Sequence, residues 1–313
     1  MNFVDLCRGD FGRKVAYTGV DRITPQNVVK VVSDTIGIHN RNRTLIDYLY
    51  RYMKGDQPIL YRNKIVRPEV NNRVVENHAF ETVKFKAGQI CGEPIQYVCK
   101  KKNADEKINE QVDLLNDYLD EANADARNIQ RAIYQSATGT SYKAILKEED
   151  WTENGDLPPF RIFIPYPGDC YIVYSQRNGK PMLSVQILKD EDEQQYYLCY
   201  SKNQFFEIKN GKVTNYGING FGGIPIVECP NNHDRLSDVE IAITLFDAIN
   251  KYQSDRLNGV EQFVQAFMKF KNCEVDKNEF LKMLKLGAIS VKDTGNGCQS
   301  DVELMTAELN QSE

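Results

Sequence analysis

Few residues in this 313-residue chain are of a type able to do chemistry, and their spacing argues against most reactions. The histidines His39, His78 and His233 lie far apart in sequence. His78 has Glu76 and Glu81 close by. A Glu-x-His run, however, does not place two imidazoles on one helical face, as the His-Glu-x-x-His zinc motif does. It reads as a surface or helix-packing histidine, and His233-Asp234 reads as part of a polar loop. The eight cysteines are scattered, without a Cys-x-x-Cys pair. That is neither zinc-ligand spacing nor a disulfide framework, and it predicts reduced intracellular thiols. No serine or cysteine sits in a Gly-x-Ser-x-Gly setting. The run Asn219-Gly220-Phe221-Gly222-Gly223 is the nearest approach to a phosphate cradle. It lacks the Lys-Ser/Thr of such a loop and leads into a Pro-bearing strand rather than a helix, so a tight turn is the better reading. The pair Glu148-Glu149 and the run Glu191-Asp192-Glu193 fall in expected turns, where carboxylates are simply solvated. The residues therefore predict no catalytic residue, no metal ligand and no cofactor, and leave a carboxylate-based hydrolase as a rival reading only.

Composition sets the class. Hydrophobic residues at 41% and charged residues at 27% make the chain globular, and the length suggests about two domains. No run of about 18 apolar residues exists to span a membrane, and Met1 to Lys14 lack the apolar core of a secretory signal. The net charge of −5 opposes a surface-wide grip on DNA. Charge is nevertheless uneven. Residues 1–55 read as a basic arm with helices, in which Arg8, Arg13, Lys14, Arg22, Lys30, Arg41, Arg43, Arg51 and Lys54 outnumber five aspartates. The aromatic residues are spread over strands, which suits a core better than a base-stacking platform. Trp151 is expected at an edge of the sheet domain.

Periodicity and turn chemistry place the elements. Thr24-Pro25 starts a helix that Gly37 should interrupt. Leu45, Ile46, Leu49 and Met53 continue at helical spacing. Further helices are predicted over 71–89, with Val75, Ala79, Val83 and Ala87 in one stripe, over 104–121, and over 124–138, ended by Gly139. A strand is predicted over 94–98. From 141 to about 228 the pattern turns to short strands, over 141–147, 161–164, 170–174, 182–188, 195–200, 204–208 and 221–228. Asn178-Gly179 and Asn210-Gly211 are among the turns between them. Helices followed by dense strands argue an α+β fold with mostly antiparallel pairing.

Ser237 with Glu240 forms a capping box that opens a long helix, 237–262, about 39 Å in length. At about 100° per residue its apolar side carries Ala242, Leu245, Phe246, Ile249, Tyr252 and Val260. The other side carries Glu240, Asp247, Lys251 and Asp255 and should face solvent. A small α+β module follows: strand 263–270, helix 277–286, strand 288–292, the turn Asp293-Thr294-Gly295-Asn296-Gly297, and strand 302–307. The helix thus reads as a spoke between two bodies. A generic adaptor binding through its acidic face is the other rival reading.

Several short runs occur in a telling order. They are Gly223-Ile224-Pro225-Ile226-Val227-Glu228, Asn231-Asn232, Ser237-Asp238-Val239-Glu240, Leu245-Phe246-Asp247-Ala248-Ile249-Asn250 and Ser254-Asp255. Together they resemble the portal proteins of tailed bacteriophages, of the long-tailed siphophage type. Upstream, Gly88 to Tyr97 looks like that family's helix-Gly-x-Pro-strand step. Ala137-Thr138-Gly139-Thr140-Ser141-Tyr142 looks like its helix-to-strand step, and Pro167 to Tyr174 resembles its strand with an upstream proline. The resemblance runs over about 40–310.

The resemblance implies a portal-like α+β architecture: a wing of helices and mostly antiparallel sheet over 56–236, a first stem helix over 237–262 and a clip over 263–309. It implies that 310–313 begin a second stem helix, with that helix, a channel loop and a crown not carried into this sequence. The role implied is structural and non-enzymatic: a homo-oligomeric ring, a dodecamer by resemblance, at one capsid vertex. Double-stranded DNA would be packaged and ejected through it without sequence-specific binding. Capsid and scaffold proteins, the packaging terminase and the tail connector are the implied partners; no membrane and no cofactor are. The location implied is the virion, with assembly in the host cytoplasm. Within this frame Glu240, Asp247, Lys251 and Asp255 are candidates for the channel or stem polar face. Leu245, Ile249 and Tyr252 are candidates for packing between stems, and Phe263, Phe267, Phe270 and Ile289 for packing in the clip.

Overall fold

The computed structural model describes residues 3–65, 68–100, 106–152, 157–264, 267–271, 276, 278 and 301–305. The fold is α+β, mixing helices with sheets that are mainly antiparallel. It divides into two units, Met1–Leu60 with Val75–Ala248, and Tyr61–Val74 with Ile249–Glu313.

The first unit is built on a six-stranded sheet of order β1-β4-β5-β6-β7-β8. Its strands are β1 (Ala16–Thr18), β4 (Cys170–Ser175), β5 (Pro181–Lys189), β6 (Gln195–Tyr200), β7 (Gln204–Lys209) and β8 (Lys212–Ile218). All neighbours are antiparallel except β1 and β4, which run parallel. Successive residues of a strand point to opposite faces, and β4 is buried on both. Tyr171 and Val173 meet Val28, Val31 and Val32 of helix α2 (Val28–Met53). Cys170 and Ile172 meet Tyr142, Ala144 and Ile226 of a three-stranded sheet, β3 (Phe160–Phe163), β2 (Thr140–Lys147) and β9 (Ile226–Pro230), in that order. The main sheet is thus covered by a helix on one face and by a smaller sheet on the other.

A second core joins helices. The far half of α2 gives Leu49, Tyr52 and Met53. Helix α1 (Phe3–Cys7) gives Phe3 and Cys7, α3 (His78–Cys91) gives Ala79 and Val83, and α5 (Ala124–Thr138) gives Ala137. Val239, Ile243 and Phe246 come from the long helix α6 (Asp238–Val264). Helix α4 (Glu106–Glu121) contributes no buried residue.

The basic segment 1–55 carries helices and gives buried Phe3, Arg13, Ala16 and Val28 to the first unit. Several expectations are corrected. Gly37 does not interrupt α2, which starts after an N-terminal turn at 24–27. A mid-helix glycine costs about 1 kcal/mol, and burial of both halves of α2 outweighs that. Helix α3 begins at His78, not 71, because the Asn77 side chain accepts the Phe80 N–H at 3.1 Å and caps it. Residues 94–98 form no strand. Among the described residues they have no partner strand, and the Asn116 amide satisfies both the N–H and the C=O of Tyr97, each at 3.0 Å. The strand expected over 221–228 is confined to Ile226–Pro230, since residues 220–222 form a turn with Gly222 at φ +67°. Strand β8 went unread because its residues are mostly exposed and polar, and β1 because it is three residues long. The Asn210-Gly211 turn joins β7 to β8 with both residues at positive φ, as its sequence demands.

In the second unit the described residues 62–65 and 68–74 form neither helix nor strand and make an irregular strap, and β10 (Phe267–Lys271) pairs antiparallel with β11 (Asp301–Met305). Of the expected helix 277–286 only residue 278 is described, and it is helical. The strand 288–292, the 293–297 turn and Ile289 lie outside the described residues, as do the side chains of Phe263, Phe267 and Phe270.

One buried group makes the first unit acid-sensitive. His39 of α2 stacks on the Tyr171 ring at 4.6 Å, and its Nε2–H donates to the Gly168 carbonyl at 2.8 Å. Burial lowers its pKa from 6.5 to about 4, against the Gly168 bond and with help from Arg43. Between these values the unfolded chain binds a proton and the folded chain does not. Stability therefore falls as pH drops from 6.5 through 4, by about 3 kcal/mol in all. Urea unfolding at pH 7.5, 6 and 5 should show this loss, and His39→Gln should flatten it. A wild-type profile flat over this range would refute the assignment.

Candidate functional site

The long helix α6 is the element to which most sequence-predicted site residues belong, and its root is held by a dense set of hydrogen bonds and ion pairs. The Ser237 Oγ accepts from the N–H groups of Val239 at 3.0 Å and Glu240 at 3.3 Å, and donates to the Ala137 carbonyl at 2.7 Å. Glu240 returns a bond to the Ser237 N–H at 3.1 Å, so the predicted capping box is formed.

Glu240 does more than cap. It accepts the Gly12 N–H at 2.7 Å and an ion pair from Arg13 Nη2 at 2.8 Å, and it is only 2% exposed. Its expected place on a solvent-facing polar side is corrected. The positive end of the helix and a guanidinium from the N-terminal segment together hold the carboxylate inside. Burial lowers the Arg13 pKa, Glu240 opposes this, and the group stays charged because guanidinium titrates far above neutrality.

Two more acids fasten the root. Asp238 accepts from Lys86 Nζ at 2.8 Å, Ser136 Oγ at 2.6 Å and Asn231 Nδ2 at 3.2 Å. Glu228 of β9 takes a two-pronged bond from Arg235 at 2.7 and 2.9 Å, with Tyr174 at 2.6 Å and Thr140 at 2.9 Å. Burial pushes the Glu228 pKa up, but the Arg235 bonds and charge and the two hydroxyls more than offset this. The net position is below the ordinary carboxylate value.

The loop entering the helix is clamped between two glycines. Gly12, at φ +81°, lies against the Asp234 carbonyl, and Gly139, at φ +86°, lies against the Arg235 carbonyl. Any Cβ at either position would strike backbone.

Further along, the remaining polar candidates part company. Asp247 is half-buried and accepts the Tyr52 hydroxyl at 2.8 Å; burial raises its pKa, with the Tyr52 bond opposing. Asp255 is paired with Arg62 of the strap at 2.8 Å. The strap also donates its Asn72 N–H to Asn258 at 2.7 Å and its Val74 N–H to Ser254 at 3.0 Å. An irregular backbone needs such partners, which explains polar residues on a covered helix face. Lys251 is exposed. The apolar candidates are not covered: Leu245 is 59% and Tyr252 68% exposed, Ile241 and Val260 are exposed beside them, and Ile249 is half-buried.

Among the described residues no group of three or more His, Cys, Asp and Glu could hold a metal. The carboxylates Asp47 and Asp169 are bridged by Arg43 at 3.8 and 2.9 Å, and Asp47 also takes the Tyr166 hydroxyl at 2.7 Å. That network ties α2 to the turn before β4. His78, between Glu76 at 3.1 Å and Glu81 at 2.8 Å, opens α3 as a surface residue. The roles of Arg13 and Gly12 were missed in sequence, where their only signal was a basic stretch with glycines near the start of the chain; Gly139 was read as the end of α5, but not as the seat of the Arg235 carbonyl. No helix among the described residues is long and apolar enough to cross a membrane.

No curated protein matches the chain. A family model described as phage portal protein, SPP1 Gp6-like, matches residues 33–313, a range that holds every strand from β2 onward and the whole of α6 but not β1, Gly12 or Arg13. The portal resemblance of the ordered motifs and this match agree, and the chain belongs to the phage portal protein family.

Proposed function

We propose that this chain is the subunit of a homo-oligomeric ring at a single capsid vertex, through which double-stranded DNA is packaged and later ejected. The family is that of a structural component of the virion. The observation that carries the reading further is the contrast along α6. The helix is rooted by three buried or half-buried acids, yet it leaves Ile241, Leu245 and Tyr252 in solvent. An exposed apolar row on a firmly held helix marks a surface that another protein covers. In this reading α6 is the first stem helix, and its row packs against neighbouring stems. The channel or outer polar surface then falls to Lys251 and to Asp255 with its Arg62 partner, since Glu240 and Asp247 are engaged inside the fold. Few free cations on such a surface suit a conduit, because each neutralised phosphate adds affinity and slows passage. Docking of scaffold, capsid, terminase and tail connector, and assembly in the host cytoplasm, belong to the same proposal.

The test is assembly. Leu245→Glu combined with Tyr252→Glu places carboxylates in the row without touching the core. Ring particles in negative-stain images and the fast sedimenting species should disappear, while far-UV circular dichroism stays as in the wild type. Rings forming as before would refute the stem assignment.

A further inference from the structure

We propose that helix α4 of one copy docks into the groove beside α1 and α2 of the next copy, and that this contact links adjacent subunits. The inference rests on the ring reading and names one interface within it.

Helix α4 is an anomaly among the helices. It carries six carboxylates against one lysine, and none of its residues is buried. Ile108, Leu114 and Leu115 are exposed on it. The neighbouring loop, held by the Asn116–Tyr97 bonds, adds exposed Tyr97 and Val98. A helix both apolar and acidic, with its apolar residues in water, gains most from a surface that is apolar and basic.

The same chain offers such a surface. A groove of about 550 Å³ runs between α1, the following loop and α2. Half-buried Leu6 and Leu45 line it, with exposed Arg8 and Arg41 beside them. Lys14 also lines the groove but is already paired with Asp10 at 2.6 Å. Arg8 and Arg41 make no ion pair among the described residues. No α4 residue lines the groove in its own copy. Two different, complementary patches on one chain make a head-to-tail contact, and a head-to-tail contact that closes on itself makes a ring. The second copy is therefore the occupant that supplies both the acid and the leucines without any further partner.

Charge exchange tests this in the full chain. The first variant carries Arg8→Glu and Arg41→Glu; the second carries Asp113→Lys and Asp117→Lys. All four residues are exposed, and thermal melts check that each variant folds as the wild type does. Each alone juxtaposes like charges and should lower the ring fraction at least tenfold, by sedimentation and negative-stain counting. Mixed in equal amounts, every contact again pairs opposite charges, and rings of alternating variants should return. Rings from either variant alone at the wild-type level would overturn the interface while leaving the ring reading intact. So would a mixture of folded variants that fails to assemble. A wild-type chain that forms no ring would instead remove the reading on which the inference rests.

Discussion

Replacing Arg13 with alanine is expected to destabilise the first unit by about 3–5 kcal/mol, the usual cost of stranding one member of a buried ion pair. The pair is deeply placed: the two side chains are 1% and 0% exposed. Without the guanidinium, the Glu240 carboxylate keeps only the Gly12 and Ser237 N–H groups. For a body of this size the midpoint of thermal unfolding should fall by about 10–15 °C. Glu240→Ala should cost at least as much. Among the described residues Arg13 Nε and Nη1 already lack hydrogen-bond partners, so removal of Glu240 leaves a buried cation with almost nothing. The double replacement Arg13→Met with Glu240→Leu should recover most of the loss, because an apolar pair of similar volume needs no compensation in the interior. Denaturant unfolding of the four proteins measures the two losses and the recovery. Single variants within about 1 kcal/mol of wild type would show that the pair does not hold the helix root.

Gly139→Ala is the second change with a large expected effect. Gly139 ends α5 in the left-handed region, its N–H bonded to the Gln135 carbonyl at 3.0 Å. Alanine there carries a conformational cost of about 1–2 kcal/mol on its own. Its Cβ would also overlap the Arg235 carbonyl and press on the Ser237 N–H, so the loop must move. That movement disturbs the Ser237 cap and the Arg235–Glu228 pair together. A total loss of about 3–4 kcal/mol is expected, with the loop rather than α5 yielding. Hydrogen exchange at Val239 and Glu240 should accelerate along with the drop in global stability. Gly211→Ala is the control: it has positive φ at 71° but nothing within 4 Å of the added carbon, and should cost only the conformational part. Equal losses at the two glycines would refute the close-approach argument.

Much of this architecture was legible because its signals are local. The Ser237–Glu240 capping box spans four residues, the end of α5 needs one glycine, and the Asn210-Gly211 hairpin needs two residues of positive φ. Periodicity found α5 without error and α4 and α6 to within two residues, because apolar residues at helical spacing report on the helix itself. The order of motifs from Gly88 to Asp255 pointed to portal proteins without any contact being known.

The rest depended on residues that meet only in the folded chain. Arg13 reaches Glu240 across 227 residues, so nothing near Glu240 in sequence announces that it is inside. Helix α6 has apolar residues on more than one side, and amphipathicity alone could not choose among them. The core took Val239, Ile243 and Phe246, the strap took Asn250's neighbours Ser254 and Asn258 on the continuing face, and Leu245 and Tyr252 were left outside. The same holds for β1, three residues that became a strand because β4 offered a parallel edge. Composition, caps and turns are settled by neighbours within one or two turns of chain, and the sequence determines them by itself. Which face is buried, and which charge is matched, is settled by partners far along the chain, and only the tertiary structure decides it.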